Sequence, residues 1–332
     1  CVWEFWLTMK LRFVMKKVMI KVIAATMWLV FQAPVFAHQD PQQAGYIAVD
    51  GGRIWYRING VEHLGKKPAI IMMHGGPGGT HRTNMPYVAL SDTYPVILYD
   101  QLGSGNSDRP GDQKNWNVKR FVDEIDHIRR ALDLDEVIIA GHSWGGTLSA
   151  EYASRNPEGL KAAILSSPLL STPQWNKDNQ DWVNDLPMDA QTTLKANNFA
   201  GSLDDPEFKA AVDLFYARHM CRTDPCSTTS YRDDGPASNS EMYITMWGVT
   251  DFNGYGTLKD YDMTDRLKDI DVPSLMICGE FDEARPRSCR RYGGMIDNVT
   301  TVIVPDAGHS TMAANEAMYM GAVRDFLDKA LK

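Results

Sequence analysis

Short runs of apolar residues recur along the chain, and stretches with helical spacing separate them. Four of these runs are almost continuously apolar, at residues 68–73, 96–99, 137–140 and 162–165. Uninterrupted apolar runs of this length are typical of strands that are buried on both faces of a sheet. Apolar residues between positions 121 and 132 recur at the spacing of an amphipathic helix. The pattern therefore predicts a parallel sheet with helices packed on both of its faces.

The strand pattern begins with a hairpin and returns near the end of the chain. Residues 46–49 and 53–58 are strand-like and flank an Asp-Gly-Gly turn at residues 50–52. Two further apolar runs follow much later, at residues 274–278 and 301–304. With the hairpin included, we expect a mostly parallel central sheet that also needs the late strands.

The alternation of strands and helices stops in one long segment. Residues 168–256 are rich in tryptophan, asparagine, aspartate, methionine and proline, and they contain helical patches but no convincing parallel strand. The alternation then resumes and ends in a helix predicted over residues 314–331. The simplest interpretation is one α/β core, residues 45–167 and 257–332, with a mainly helical cap, residues 168–256, inserted into it. A separate second domain is less economical, because the core needs the C-terminal strands.

The first 37 residues differ from the rest of the chain. Three lysines between positions 16 and 21 precede the apolar residues 22–30, and a short segment ending at Ala37 leads into polar sequence. This order is that of a secretory signal peptide, with a start at Met9 or Met15 and cleavage after Ala37. The apolar run is too short for a comfortable bilayer span, and an uncleaved anchor is the alternative. We therefore expect an exported protein, periplasmic or secreted, without a stable membrane span.

The composition and the cysteines restrict the classes of protein to which the chain can belong. The chain is 44% hydrophobic and 23% charged, its net charge is −8, and no basic block stands out in its body. These values indicate a globular protein and argue against nucleic acid as a partner. In an exported protein we expect a Cys221–Cys226 disulfide, whereas Cys278 is either a buried free thiol or the partner of Cys289. No Cys/His spacing resembles a zinc site, so we expect neither a metal nor a cofactor.

The sequence Gly-His-Ser-Trp-Gly at residues 141–145 carries the main chemical signal. It follows an apolar strand and opens a helix, which is the context of the nucleophile turn in the α/β-hydrolase fold. A serine hydroxyl needs a general base, and His309 lies on a loop after the last predicted strand. The strand before that ends in a loop whose Asp282 is the expected orienting acid, with Glu280 as the alternative. The order Ser143, Asp282, His309 is that of α/β hydrolases.

A glycine-rich segment, His-Gly-Gly-Pro-Gly-Gly at residues 74–79, follows the third strand. Glycines at this place allow backbone N–H groups to face a substrate carbonyl. We predict that the N–H groups of Gly76 and Trp144 stabilise the oxyanion of an acyl-transfer reaction. A phosphate-binding P-loop is excluded, because no Lys-Ser or Lys-Thr pair follows the glycines.

Several motifs occur together along the chain. Those of the core lie at residues 74–78, 99–107, 141–146 and 279–283, and those of the cap lie at residues 185–187, 206–208 and 254–262. In combination they resemble the proline iminopeptidases (prolyl aminopeptidases) and related amino-acid amidases, and the resemblance extends over residues 45–332. It implies an enzyme that removes an N-terminal residue, often proline, from short peptides, or that hydrolyses amino-acid amides and arylamides.

The resemblance also implies how a free N-terminus is recognised. A buried ammonium needs negative partners, and in the family two glutamates supply them, one next to the catalytic aspartate and one from the cap. The first matches Glu283 and the second matches Asp251, which is one methylene shorter and leaves the preferred residue open. The alternative is that both are surface acids. Five aromatic residues of the cap either line a proline-sized pocket or pack in the cap interior: Trp175, Trp182, Tyr243, Trp247 and Phe252.

We therefore expect an exported serine aminopeptidase that releases an N-terminal residue, proline or a small one, through an acyl-enzyme on Ser143. Its partner would be a small-molecule or short-peptide substrate with a free N-terminus, and the sequence predicts no particular oligomeric state. One alternative is an esterase or lactonase on the same fold, and another is a catalytically inactive binding protein. Glu283 and Asp251 favour the aminopeptidase over the esterase, because an ester site has no need of two carboxylates facing the acyl group.

Overall fold

The apolar runs of the sequence form the strands of one sheet. The computed structural model describes residues 40–222 and 238–332, all of them in the second of two compact units, Gln39–Lys332; the expected signal peptide lies outside the described residues. The strands are β1 (Gln43–Val49), β2 (Gly52–Asn59), β3 (Ala69–Met73), β4 (Val96–Asp100), β5 (Val137–His142), β6 (Leu160–Ser166), β7 (Ser274–Gly279) and β8 (Val299–Val304).

The strands are ordered β1-β2-β4-β3-β5-β6-β7-β8 across the sheet. The predicted hairpin is present, with Val49 paired to Gly52 across the turn between β1 and β2. β2 runs antiparallel to β4, and every later pairing is parallel. The mostly parallel sheet predicted from the sequence is therefore confirmed, and the hairpin forms its antiparallel edge. Parallel neighbours need long crossover connections, which the helices supply.

Helices cover both faces of this sheet. Those of the described residues are α1 (Val118–Ala131), α2 (Trp144–Ala153), α3 (Thr172–Val183), α4 (Met188–Ala196), α5 (Pro206–His219), α6 (Ser240–Met246), α7 (Pro286–Gly293), α8 (Thr311–Ala314) and α9 (Glu316–Ala330). Helix α1 buries Phe121 and Ile125 in the apolar cluster on one face, and α9 buries Val323 in the cluster on the other. Successive β3 residues, such as Ile70 and Ile71, alternate between the two clusters, as a doubly covered strand requires.

The C-terminal helix departs from the expected range. The sequence pattern predicts one helix over residues 314–331, whereas the structure has a short α8 and then α9. Asn315 separates them, because its side chain accepts the N–H of Met318 at 3.3 Å and acts as the N-cap of α9. Within residues 40–222 and 238–332, 3₁₀ segments lie at Val61–His63, His81–Asp92, Gln113–Asn115 and Thr264–Asp269. No helix of the described residues is both long and apolar enough to cross a bilayer.

The segment between β6 and β7 is helical where the structure describes it. It contains α3 to α6, and its regular structure includes no sheet strand among the described residues of the expected cap, residues 168–256. Helices α3, α4 and α5 share an apolar cluster of their own, which includes Leu194, Phe208 and Phe215 and also Phe252 from the following loop. This cluster explains why the segment folds without adding to the sheet.

The structure gives the bonding state of Cys278, Cys289 and Cys221. Cys278 in β7 and Cys289 in α7 form a disulfide, so Cys278 is not a free thiol. Cys221 is also disulfide-bonded, and its expected partner Cys226 lies outside the described residues. The Cys278–Cys289 bond closes a loop with a sequence separation of 11, and this loop contains Asp282. Closing such a loop restricts the unfolded chain and so stabilises the folded one.

Candidate active site

Ser143 lies at the tight turn between β5 and α2. Its backbone has φ 55° and ψ −118°, which is a sparsely populated conformation for a residue with a side chain. The turn depends on close approach of the backbone: a Cβ at Gly141 would overlap the carbonyl of Gly145, and one at Gly145 would overlap the carbonyl of Met73. The glycines of the motif therefore allow α2 to pack directly against β3 and β5 at this turn.

His309 and Asp282 lie side by side on the loops that follow β8 and β7. Nδ1 of His309 is 2.7 Å from Oδ1 of Asp282. Because a carboxylate only accepts, Nδ1 carries the ring proton and Nε2 is left as the acceptor. His309 and Ser143 line the same cavity, which has a volume of about 220 Å³, and Asp282 is fully buried behind the histidine. The structure thus brings together the three residues of the expected triad.

The carboxylate of Asp282 is held by several donors. Oδ2 accepts hydrogen bonds from the hydroxyl of Ser167 at 2.5 Å and the N–H of Gly279 at 3.0 Å, and Oδ1 accepts the N–H of Ala284 at 2.8 Å. Burial alone would raise the pKa of Asp282, but the charge of His309 and these hydrogen bonds hold it below its ordinary value. Asp282 therefore stays ionised and can fix the tautomer and orientation of His309.

His142, the second residue of the motif, packs against the expected base. The ring centroids of His142 and His309 are 4.8 Å apart. Burial lowers the pKa of His142 to about 3, and the charge of His309 adds to the effect. The ring of His142 is therefore neutral and supports His309 without adding a second positive charge beside it.

The glycine-rich loop after β3 forms another wall of the cavity, which Gly75 and Gly76 line. Trp144 is the first residue of α2, and an N–H at this position has no partner within its helix. His74 fixes the loop: its Nδ1–H donates to the carbonyl of Gly75 at 2.8 Å, and its Nε2 accepts the N–H of Gln101 at 3.0 Å. Burial lowers the pKa of His74, so the imidazole stays neutral, with its proton on Nδ1. Gly76 thus lines the cavity together with Ser143, and Trp144 directly follows Ser143 in the chain; their N–H groups remain the ones expected to bind an oxyanion.

Glu283 is a buried carboxylate without a partner. It has no exposed surface, and neither of its carboxylate oxygens has a hydrogen-bond partner in the part of the chain that the structure describes. Burial raises the pKa of Glu283 well above its usual range, and the charges of Asp251 and Asp282 raise it further. Glu283 is therefore not a surface acid. A cation beside it would supply the missing ion-pair partner and so offset the free-energy cost of burying an unpaired carboxylate.

Asp251 reaches the same region from the cap. It lines the cavity together with Ser143 and is half-buried. The hydroxyl of Tyr243 donates a hydrogen bond to Oδ1 of Asp251, and the indole N–H of Trp175 donates to its backbone carbonyl at 2.9 Å. These contacts fix the carboxylate of Asp251 on the cavity wall although it is one methylene shorter than glutamate.

The aromatic residues of the cap divide between the two expected roles. Tyr243 lines the cavity, and Trp175 packs edge-on against the ring of His309 at 5.3 Å between centroids. Trp247 packs against Trp175, and Phe252 lies in the apolar cluster of the cap. Trp182 stacks on a cap histidine. Packing is thus the main role of most of them.

Comparison with known proteins gives consistent matches. A family model described as the alpha/beta hydrolase fold matches residues 68–315. A proline iminopeptidase of Heyndrickxia coagulans is 38% identical over 284 residues, which is 86% of this chain and 98% of the relative. One of Saccharolobus solfataricus is 30% identical over 289 residues, with 86% and 93% covered. The crystal structure of a proline iminopeptidase of Mycobacterium smegmatis has a TM-score of 0.77 at 30% identity and covers 87% of this chain and 98% of its own. The chain belongs to the proline iminopeptidase family of α/β hydrolases.

Membership of the proline iminopeptidase family makes the protein a serine hydrolase. The family resemblance and the α/β-hydrolase fold expected from the sequence are both confirmed by these matches. Within the described ranges, no group of three or more His, Cys, Asp or Glu side chains is arranged to hold a metal ion.

Glu280, the alternative acid, points away from the base. It is exposed, and its Oε2 accepts the N–H of Asp306 at 3.0 Å. In this member of the proline iminopeptidase family, the carboxylate that contacts His309 is therefore that of Asp282.

Several residues that hold the site were not predicted from the sequence. The hydroxyls of Ser167 and Thr311 both contact Asp282, and the Thr311 hydroxyl lies 3.3 Å from Oδ2. Gln101 accepts the indole N–H of Trp144 at 2.9 Å and donates to the carbonyl of His74 at 3.2 Å, which joins the oxyanion loop to the nucleophile turn. Gln101 lies inside a motif of the family resemblance, residues 99–107, which is the signal that could have drawn attention to it.

Proposed function

We propose that the protein is an aminopeptidase that releases proline or a small residue from the N-terminus of short peptides or from amino-acid amides. The observation that carries this proposal is the buried, unpartnered carboxylate of Glu283, with Asp251 on the wall of the cavity that Ser143 also lines. A substrate α-ammonium, whose pKa lies near 8, is mostly charged at neutral pH. It would give Glu283 the positive partner that the described residues do not supply.

The first half of the reaction forms an acyl-enzyme. Oγ of Ser143 attacks the scissile carbonyl, and Nε2 of His309 accepts the serine proton. The N–H groups of Gly76 and Trp144 stabilise the oxyanion. The C–N bond then breaks, and His309 returns the proton to the leaving amine, which departs and leaves the acyl group esterified to Ser143.

The second half releases the amino acid. His309 takes a proton from a water molecule, and the resulting hydroxide attacks the ester carbonyl. The bond to Oγ of Ser143 breaks, and His309 returns the proton to the serine. Asp282 remains ionised throughout and stabilises the imidazolium formed in each half.

A panel of small substrates tests the proposed activity. Prolyl and alanyl arylamides should be hydrolysed, whereas their N-acetylated forms should not, because acetylation removes the positive charge that the two carboxylates bind. Release of the coloured arylamine measures the rate, and simple acyl esters and a lactone complete the panel. Equal cleavage of free and N-acetylated arylamides would refute the proposed aminopeptidase activity and favour the alternative, an esterase or lactonase.

We further propose that the enzyme is exported to the periplasm or secreted. Two kinds of observation support this: the order of basic and apolar residues in the leader, and the disulfides at Cys278–Cys289 and at Cys221. Disulfides persist in oxidising compartments. Mass spectrometry of the protein from the cell envelope of a bacterial host should show a mature N-terminus at or near His38.

A leader variant provides the control for export. Leu29→Arg places a charge in the apolar run and should cause the uncleaved chain to accumulate in the cytoplasm. Recovery of the intact leader on membrane-bound wild-type protein would favour an anchor over a cleaved signal peptide.

A further inference from the structure

The last residue of α5 contacts the loop of the catalytic base through its backbone. His219 ends this helix and is only 4% exposed. Its carbonyl accepts the N–H of His309 at 2.6 Å, and the carbonyl of Met220 accepts the N–H of Ser310 at 2.8 Å. A Cβ at Gly308 would lie 2.6 Å from the carbonyl oxygen of His219, so the two segments are in close contact. The cap thus anchors the main chain of the expected base.

The side chain of the same residue contacts the loop of the catalytic acid. Nδ1 of His219 is 2.9 Å from the carbonyl oxygen of Phe281, the residue before Asp282. Since a carbonyl only accepts, Nδ1 carries the proton. Burial lowers the pKa of His219 to about 4, so the ring is neutral at pH 7. Trp182 stacks on this ring at 4.5 Å between centroids and donates its indole N–H to the carbonyl of Asp282 at 2.9 Å.

We propose that His219 is a positioning residue that sets the relative placement of the catalytic acid and base from the cap. The proposal rests on the roles proposed above for Asp282 and His309. One residue holds the acid loop by its ring and the base loop by its carbonyl, so loss of the ring contact removes one of the bonds that fix the two loops relative to each other. Proton transfer is sensitive to displacements of about 1 Å. The cap is therefore part of the catalytic apparatus as well as a cover for the substrate.

Two substitutions separate positioning from packing. His219→Leu fills the space without a donor, whereas His219→Asn places an amide N–H close to the position of Nδ1. For prolyl arylamide we expect His219→Leu to lower kcat about tenfold with KM changed less than about twofold, and His219→Asn to recover most of the loss. His219→Gln, whose amide reaches toward the position of Nε2 instead, should behave like His219→Leu and replaces it if that variant does not fold.

A matched control comes from the same helix. Phe208 lies on α5 and is fully buried in the apolar cluster of the cap. Phe208→Leu should therefore lower the melting temperature while kcat stays near that of the wild type. The proposal is overturned if folded His219→Leu keeps wild-type kcat. It is also overturned if His219→Asn is no better than His219→Leu, or if Phe208→Leu loses as much kcat.

Two further measurements keep this inference distinct from the proposed function. The rate at which a fluorophosphonate labels Ser143 depends on the triad but not on amine recognition, and it should follow the kcat values of the His219 variants. His309→Ala distinguishes a failure of the proposed triad from a failure of the positioning role of His219. If His309→Ala is active, the proposed triad is wrong; if it is inactive while His219→Leu is normal, only the positioning role is wrong.

Discussion

Replacing Ser143 by alanine is expected to lower kcat by at least about 10⁴-fold, and replacing His309 by alanine should have a similar effect. The two groups act as one unit, because the hydroxyl is a poor nucleophile without the base and the base has no proton to accept without the hydroxyl. The double variant should therefore be little worse than either single variant. Steady-state hydrolysis of prolyl arylamide measures the three losses.

Ser149 offers the control for this experiment. It lies on α2, six positions after the nucleophile, and its buried hydroxyl has no hydrogen-bond partner in the described part of the chain. Ser149→Ala should therefore keep full activity and remain reactive toward a fluorophosphonate, whereas Ser143→Ala should lose both. Wild-type turnover by Ser143→Ala would show that the nucleophile lies elsewhere.

Glu283→Gln is expected to raise KM for prolyl and alanyl arylamides by about 10- to 100-fold. The amide keeps the shape of the side chain but lacks the charge, and a charge-assisted hydrogen bond is worth roughly 1.5–3 kcal/mol. A simple acetate ester, which has no amine, should be hydrolysed almost as before. Glu280→Gln is the matched control, because Glu280 lies on the same loop but is exposed and bonded to Asp306. Equal effects of Glu283→Gln on amine and ester substrates would contradict ammonium binding.

The raised pKa of Glu283 gives this prediction a second, independent readout. Burial and the charges of Asp251 and Asp282 make this carboxyl keep its proton to a higher pH than an ordinary glutamate. An ammonium pairs with it fully only once that proton has left. KM of the wild type should therefore fall as the pH rises through the range in which Glu283 ionises, and it should rise again above about 8, where the substrate amine becomes neutral. Glu283→Gln should lack the first of these two phases.

The sequence predicted the strands and the triad because both depend on local signals. Continuous apolar runs mark buried strands such as β5, and a serine between glycines directly after a strand marks a nucleophile turn. Asp282 and His309 were predicted because each follows a strand in a fixed chain order, and the structure places them side by side. The N-cap at Asn315 was also a local signal, but the helical periodicity on both sides of it predicted a single helix.

The supporting contacts could not be predicted in this way because they join distant parts of the chain. Ser167 lies 115 positions from Asp282, with which it shares a hydrogen bond. His219 meets Phe281 across 62 positions. Nothing in the residues around Ser167 or His219 indicates these partners, since the partners become neighbours only when the cap and the C-terminal strands fold onto the sheet.

The position of the cap has a consequence for the order of folding. β6 ends at Ser166, β7 begins at Ser274, and the two strands nevertheless pair directly. Such non-local pairing raises the contact order and slows folding. During synthesis the turn that carries Ser143 emerges before β7 and β8, whereas His309 emerges only after them. A nascent chain that has not yet reached the residues after β8 therefore lacks the base, and we expect hydrolytic activity to begin only after the C-terminal strands have joined the sheet.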